Sequence, residues 1–312
     1  MRAVRAACLA SVALCTVTPL AAAVPPPPPG DEHGPVKPYI VGGRDATQVY
    51  SFMTSLQRPD GSHFCGGSLI AKRWVVSAAH CMGYVVPDQT KVRIGSLDRT
   101  AGGSFVGVKQ AVVHPQYDPN KPGYDIALVE LDQAVREKPI QIAPRSGGAG
   151  TGTRIMGWGV TCDRDLVNDP TCRQSPKVLQ ELDTALVPDA SCNVVDPTTG
   201  KVFFDPQHEL CTASRDGQAR MACFGDSGGP QVRRMFGSWW LVGATTGDGD
   251  DWEMRRNVCT TGPDGKPGVG IWQDVPTYRG WIADTIWTCK RQDGEELLAQ
   301  MAEAEAQLVG VN

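Results

Sequence analysis

An all-β body is predicted, an antiparallel barrel or sandwich, because short apolar stretches recur between Ile40 and Val275, broken by glycine, proline and acidic turns. Long helical patterns are few over the same span, which favours the same reading. The candidate strands are Ser68 to Ile70, Trp74 to Val76, Lys91 to Ile94, Phe105 to Val113, Ile126 to Leu131, Val178 to Leu182, Trp239 to Thr245 and Gly270 to Val275. Their β-branched and aromatic content suits half-buried strands.

The pattern changes after the last strand. Tyr278 to Trp287 has helical spacing, with Tyr278, Trp281, Ile282, Thr285 and Ile286 on one side, predicted to pack on the body. Glu295 to Leu308 forms a second helical pattern in a C-terminal tail, residues 290–312, in which Leu297, Leu298, Met301 and Leu308 alternate with Glu and Gln. A surface tail is the ordinary reading and a partner-binding helix the alternative, so the chain is expected to be a monomer unless the tail associates.

Residues 1–24 carry Arg2 and Arg5, a largely apolar stretch from Ala6 to Leu20 and then Ala21-Ala22-Ala23, the order of a secretory signal peptide. That run is short for a membrane span, and no other long apolar segment follows, so no stable membrane association is expected. Residues 25–39 begin with Pro25 to Pro29, an extended, poorly packing run, and read as a pro-segment. The body, residues 40–289, is expected to act outside the cell.

Formal charge is −4, from 30 basic and 34 acidic residues, without an arginine or lysine block. A nucleic-acid-binding surface is therefore not expected. Of 11 cysteines, Cys8 and Cys15 leave with the signal segment, so an odd number enters an oxidising compartment, where most should pair.

Gly225-Asp226-Ser227-Gly228-Gly229-Pro230 is the sharpest local signal. Glycine permits backbone geometries that bring amides close to a ligand, and the run also fits the Gly-x-Ser-x-Gly turn of α/β-hydrolases. Histidine order decides between them. An α/β-hydrolase places its histidine after the serine, whereas His33, His63, His80, His114 and His208 all precede Ser227. A subtilisin-like order, with Asp45 or Asp60 ahead of the histidine, needs an α/β body that the strand pattern does not support.

His80 stands out, at the end of the apolar run Val75-Val76-Ser77-Ala78-Ala79 and beside Cys81, which Cys65 can clamp. Asp125 precedes Ile126-Ala127-Leu128-Val129, where a strand can pin it. His80, Asp125 and Ser227 then run in the order of a chymotrypsin-type triad.

At these residues the sequence resembles the trypsin and chymotrypsin family of serine peptidases. The matches are Ile40-Val41-Gly42-Gly43, Cys65-Gly66-Gly67-Ser68-Leu69-Ile70, Ser77-Ala78-Ala79-His80-Cys81, Asp125-Ile126-Ala127-Leu128, Gly157-Trp158-Gly159 and the Ser227 run, in the family's order. The resemblance implies two six-stranded antiparallel barrels with an active cleft between them and a C-terminal helix. It implies that His80 serves as base, Asp125 as its orienter, and the Gly225 and Ser227 amides as the oxyanion hole. Cleavage between Tyr39 and Ile40 would free an ammonium to pair with Asp226, by another protease or by the enzyme itself. Substrates would be proteins or peptides. A secreted binding protein without turnover is the competing reading.

The family pattern further implies the disulfides Cys65–Cys81, Cys192–Cys211 and Cys223–Cys259. Cys162 with Cys172 is a candidate fourth, leaving Cys289 over. No zinc or calcium spacing is present, the cluster Asp248, Asp250, Asp251 reads as a solvated loop, and no cofactor is expected. Met221, six residues before Ser227, falls at the base of the primary substrate pocket, where trypsin-like members carry aspartate. Methionine offers no charge to a basic side chain, so an apolar or aromatic residue is expected before the scissile bond. Gly268 is expected to keep the pocket open. The other wall, Thr246-Gly247-Asp248, departs from the family's serine, tryptophan and glycine, which leaves basic recognition from an unusual direction as the alternative.

Overall fold

The computed structural model describes residues 40–162, 174–193, 195, 200, 202–247, 259 and 268–309, the last of these as backbone beyond residue 295. The signal-peptide and pro-segment expectations, with Tyr39, Cys172 and Asp248, lie outside the described residues.

Among the described residues there are fourteen strands and one long helix. The first barrel is built from β2 (Met53–Gln57), β3 (His63–Ala71), β4 (Trp74–Ser77), β5 (Lys91–Ile94), β6 (Ser104–Val113) and β7 (Ala127–Leu131). They pair in the order β2-β3-β4-β7-β6-β5, and β2 returns to β5 antiparallel, which closes the cylinder and leaves no open edge. The predicted strands Lys91–Ile94 and Phe105–Val113 fall within it. Its interior is filled by Leu56, Leu69, Val75, Val92, Ile94, Val108, Val129 and Leu131, all fully or almost fully buried.

The second barrel uses β9 (Gly152–Gly157), β10 (Gln180–Leu186), β11 (Glu209–Ser214), β12 (Pro230–Met235), β13 (Ser238–Gly247) and β14 (Val269–Asp274). β9 pairs with both β10 and β12, closing the order β9-β10-β11-β14-β13-β12. Two short strands sit outside this ring: β1 (Arg44–Asp45) extends β10, and β8 (Gln141–Ile142) pairs parallel with β13. The barrel count inferred from family resemblance is therefore the observed architecture.

The barrels meet where glycine lets two backbones touch. The Gly66 amide on β3 donates to the Ser227 carbonyl at 2.8 Å, and a Cβ on Gly66 would lie 2.8 Å from Gly229 Cα. Any side chain at Gly66 would push the Ser227 turn away from the first barrel.

The C-terminus differs from the expectation of two separate helical segments. One helix, α1 (Arg279–Val309), runs through both, and Tyr278 belongs to the 3₁₀ turn before it, Val275–Tyr278. The polar run Gln292-Asp293-Gly294 interrupts the apolar pattern without breaking the backbone, because glycine in a helix interior costs only about 1 kcal/mol. Ile282 and Cys289 are buried against the first barrel's core, and Lys109 on β6 pairs with Asp293.

Candidate active site

β4 ends at Ser77, and buried Ala78 and Ala79 lead into a 3₁₀ turn, His80–Tyr84, that carries His80. The Cys65–Cys81 disulfide ties this turn to β3. Asp125 stands just before β7 and is 9% exposed. Its Oδ1 accepts the His80 backbone N–H at 2.8 Å, and Oδ2 lies 2.7 Å from His80 Nδ1. Thr246 Oγ1, from β13, donates to the same Oδ2. A carboxylate ringed by these donors keeps the imidazole proton on Nδ1 and leaves Nε2 as an acceptor.

Ser227 is held by its neighbours' backbone. The Asp226 amide donates to Cys223 O at 2.9 Å, Gly228 N to Thr245 O at 2.7 Å and Gly229 N to Asp226 O at 2.8 Å. Gly225, at φ +96°, and Gly228, at φ +74°, occupy the left-handed region that disfavours side chains. Among the described residues the Gly225 and Ser227 amides donate to no backbone acceptor. His80, Asp125 and Ser227 line one cleft of about 730 Å³. A sulfur of the Cys65–Cys81 bridge lies 3.7 Å from His80 Nε2 and 3.9 Å from the Ser227 carbonyl, so both residues abut one fixed atom. Cys65, His80 and Cys81 also cluster as metal ligands would, but both sulfurs are consumed in the disulfide and offer no thiolate.

Asp226 points away from the cleft into the protein and is 1% exposed. Its Oδ1 accepts the Gly159 amide at 2.7 Å and its Oδ2 the Cys223 amide at 2.9 Å. No basic side chain pairs with it among the described residues, and burial pushes its carboxyl up to about 7 against these two amides. Ile40 is also fully buried, at φ +37°, and Met221 donates to the carbonyl of Val41. Beneath Gly225, His63 bridges Ser55 Oγ and the Gly225 carbonyl, 2.8 Å from each, and its burial lowers its pKa to about 4.

Met221 is fully buried in a cluster with Ala222 and Trp272. A Cβ on Gly270 would lie 3.0 Å from Met221 Sδ, so Gly270, two residues beyond Gly268, is the glycine facing the methionine. Gly268 leads into β14 at φ +33°, and Gly247 sits at the β13 bulge opposite Ile271. The bonds Cys65–Cys81, Cys192–Cys211 and Cys223–Cys259 are formed, Cys162 is disulfide-bonded, and Cys289 is free and buried.

Sequence reasoning placed Thr246 only on a pocket wall. Its bond to Asp125 was signalled by nothing local, since the two residues lie 121 positions apart.

The family described as Trypsin matches residues 40–282. "Trypsin" from Sarcophaga bullata is 36% identical over 252 residues, covering 79% of this chain and 88% of its own. "Trypsin theta" from Drosophila melanogaster is 32% identical, covering 80% and 87%. The solved structure of neuropsin, a serine protease expressed in the limbic system of mouse brain, superposes with a TM-score of 0.62 at 26% identity, covering 79% of this chain and all of that one. Two closed barrels, the cleft between them and these likenesses lead to one conclusion: the chain belongs to the trypsin family of serine peptidases.

Proposed function

We propose that the chain is a secreted serine endopeptidase in which Ser227 attacks the scissile carbonyl. His80 Nε2 takes the hydroxyl proton and returns it to the leaving amine, and water then hydrolyses the acyl-enzyme. Asp125 stays ionised and holds the Nδ1–H tautomer, stabilising the imidazolium as it forms. The Gly225 and Ser227 amides receive the oxyanion, at about 2.7 to 4 kcal/mol for a donor of this kind. The observation that carries the reading is the 2.7 Å contact between Asp125 Oδ2 and His80 Nδ1, which assigns the role of base to the other ring nitrogen, Nε2, on the cleft that Ser227 shares.

Activation follows from the buried, uncompensated Asp226. Cleavage after Tyr39 turns the Ile40 amide into an ammonium that pairs with Asp226, whose carboxylate has no basic partner among the described residues, and the pair locks the Gly225 to Ser227 turn. The leader of residues 1–24 supports secretion, and residues 25–39 are removed on activation. Among the described residues no helix is long and apolar enough to cross a membrane.

Two readings of side-chain preference rest on different observations. Likeness to proteins named trypsin supports cleavage after Arg or Lys, and it is the reading the comparisons favour. Met221 at the pocket base, with Gly270 opposite, supports an apolar or aromatic residue instead. A positional peptide library on the activated enzyme separates them: dominance of Arg and Lys removes the apolar reading, and dominance of Phe, Tyr, Leu or Met removes the basic one. The catalytic assignment is tested by Ser227→Ala in correctly processed protein, expected to lose about 10⁶-fold in kcat. Unchanged proteolysis would refute the mechanism, and a processed wild type without turnover would favour a binding protein.

A further inference from the structure

Asp125 is presented by a backbone that two side chains hold in place, Glu209 on β11 of the second barrel and Tyr278 of the 3₁₀ turn before α1. Gly123 and Tyr124, the residues just before it, both have left-handed torsions, φ +79° and φ +61°. For tyrosine this region is strained and persists only where surrounding contacts enforce it. The Gly123 amide donates to Glu209 Oε1 at 2.9 Å, and the next amide, of Tyr124, donates to Tyr278 Oη at 3.0 Å. Gln273 joins the two acceptors: its Nε2 donates to Glu209 Oε1 at 2.9 Å, and its Oε1 accepts from Tyr278 Oη at 2.7 Å.

Glu209 and Gln273 are direct partners in the β11–β14 ladder, so the clamp is built on paired strands. Glu209 Oε2 accepts the Asp205 amide at 2.7 Å, which leaves each carboxylate oxygen occupied by a donor. The Tyr124 ring is stacked on His114, with centroids 4.9 Å apart, and packs against His208 at 4.3 Å. Glu209 is 5% exposed, and burial, with Asp205 adding to it, pushes its carboxyl up to about 7 against those donors. A buried acid without a cation is costly to keep, and packing alone would be served by an apolar residue.

We infer that Glu209, with Gln273 and Tyr278, positions Asp125 for catalysis by fixing the Gly123–Tyr124 backbone. This rests on the proposed role of Asp125 in the triad. Replacing either acceptor leaves a backbone amide of the strained pair unsatisfied, and the pair relaxes toward ordinary torsions, turning the Asp125 carboxylate away from His80. The loss should appear in the chemical step and not in substrate binding.

The test uses the activated full chain and a fluorophosphonate probe, whose reaction with an activated serine does not depend on knowing the substrate. Glu209→Leu and Tyr278→Phe, each of which removes an acceptor of the strained pair, are compared with the parent and with Ser227→Ala for labelling rate, and for kcat and KM per titrated site on a cleaved peptide. Each clamp variant is expected to lose about ten- to a hundredfold in labelling rate and in kcat, with KM little changed, a size typical of small misplacement. A residue important only for folding would lower the folded fraction and leave the rate per titrated site intact, which overturns the inference. Tyr278→Phe, which removes one oxygen, serves where Glu209→Leu fails to fold. If Ser227→Ala labels as fast as the parent, or the parent does not label, the triad reading itself fails and the inference falls with it. Fast labelling by the clamp variants beside a silent Ser227→Ala protein removes the inference alone.

Discussion

Thr246 and Asp125 meet across the two barrels: the threonine Oγ1–H, on β13, donates to the same Oδ2 that lies 2.7 Å from His80 Nδ1. The acid is thus aligned by the strand that also borders the nucleophile turn, since the neighbouring Thr245 carbonyl accepts the Gly228 amide. Losing the acid and losing its alignment should have very different sizes. Asp125→Asn should lower kcat by about 10⁴-fold, because the amide reverses the preferred imidazole tautomer. Thr246→Val should cost about tenfold, the value of one hydrogen bond to a charged group. Kinetics on titrated active sites reads both. An Asp125→Asn enzyme within tenfold of the parent sinks the assignment of that residue.

Burial of Asp226 without a cation predicts a pH dependence of the uncleaved chain. Its folded pKa, about 7, lies above the ordinary carboxylate value, so between about pH 4 and 7 the unfolded chain releases a proton that the folded chain keeps. The stability it contributes is present below pH 4 and is lost as pH rises to 7. His63 has the opposite sign: lowered to about 4, it makes the fold lose stability as pH falls from about 6.5. The diagnostic quantity is therefore a difference. In a Ser227→Ala background, to prevent self-digestion, Asp226→Asn should gain stability relative to its parent by a few kcal/mol as pH is raised from 4.5 to 8, read by guanidinium unfolding. Parallel curves would contradict the picture. After cleavage at Tyr39 the new ammonium holds the carboxylate ionised, and the trend should reverse.

The turn at Gly157-Trp158-Gly159 predicts a steric lesion at the same carboxylate. A Cβ on Gly159 would lie 2.4 Å from Asp226 Cγ, and one on Gly157 would lie 2.0 Å from its Oδ1. Gly159→Ala must therefore displace Asp226 and loosen the Gly225 to Ser227 turn that it anchors. The expected outcome is a folded protein whose fluorophosphonate labelling falls by about a hundredfold or more. Parental labelling by Gly159→Ala would show that the Asp226 contacts do not govern the oxyanion turn.

Much of this was legible before any coordinates. Lys91–Ile94 reads as a strand because its apolar residues alternate, and order and local context single out His80, Asp125 and Ser227, which line one cleft. β2 was missed because Thr54, Ser55 and Gln57 are polar yet buried; Gln57 gains partners in Ser55 Oγ and the Arg99 carbonyl that no local pattern announces. β11, opening on buried Glu209, was missed for the same reason. Glu209 is satisfied by Gly123 and Gln273, 86 and 64 positions away, and Thr246 by a carboxylate 121 positions away. What stayed hidden is long-range pairing of buried polar groups, which periodicity does not encode.

The last prediction concerns Met221. Its side chain is fully buried in one cluster with Ala222 and Trp272, and a Cβ on Gly270 would lie 2.6 Å from the Trp272 ring and 3.0 Å from Met221 Sδ, so the thioether fills this place and offers a cation no charge. Met221→Asp puts a carboxylate at that base. With an apolar substrate the new acid is buried alone and costly, whereas Arg or Lys brings the ion that stabilises it. The ratio of kcat/KM for basic over apolar peptides should rise by at least about a hundredfold, comparable to loss or gain of a buried charge pair. Should the parent already prefer Arg or Lys, the charge it uses lies elsewhere on the rim. Asp248→Asn should then abolish that preference while Met221→Asp adds little. A parent that prefers apolar residues and a Met221→Asp enzyme with an unchanged ratio would together show that Met221 is not the base of the pocket.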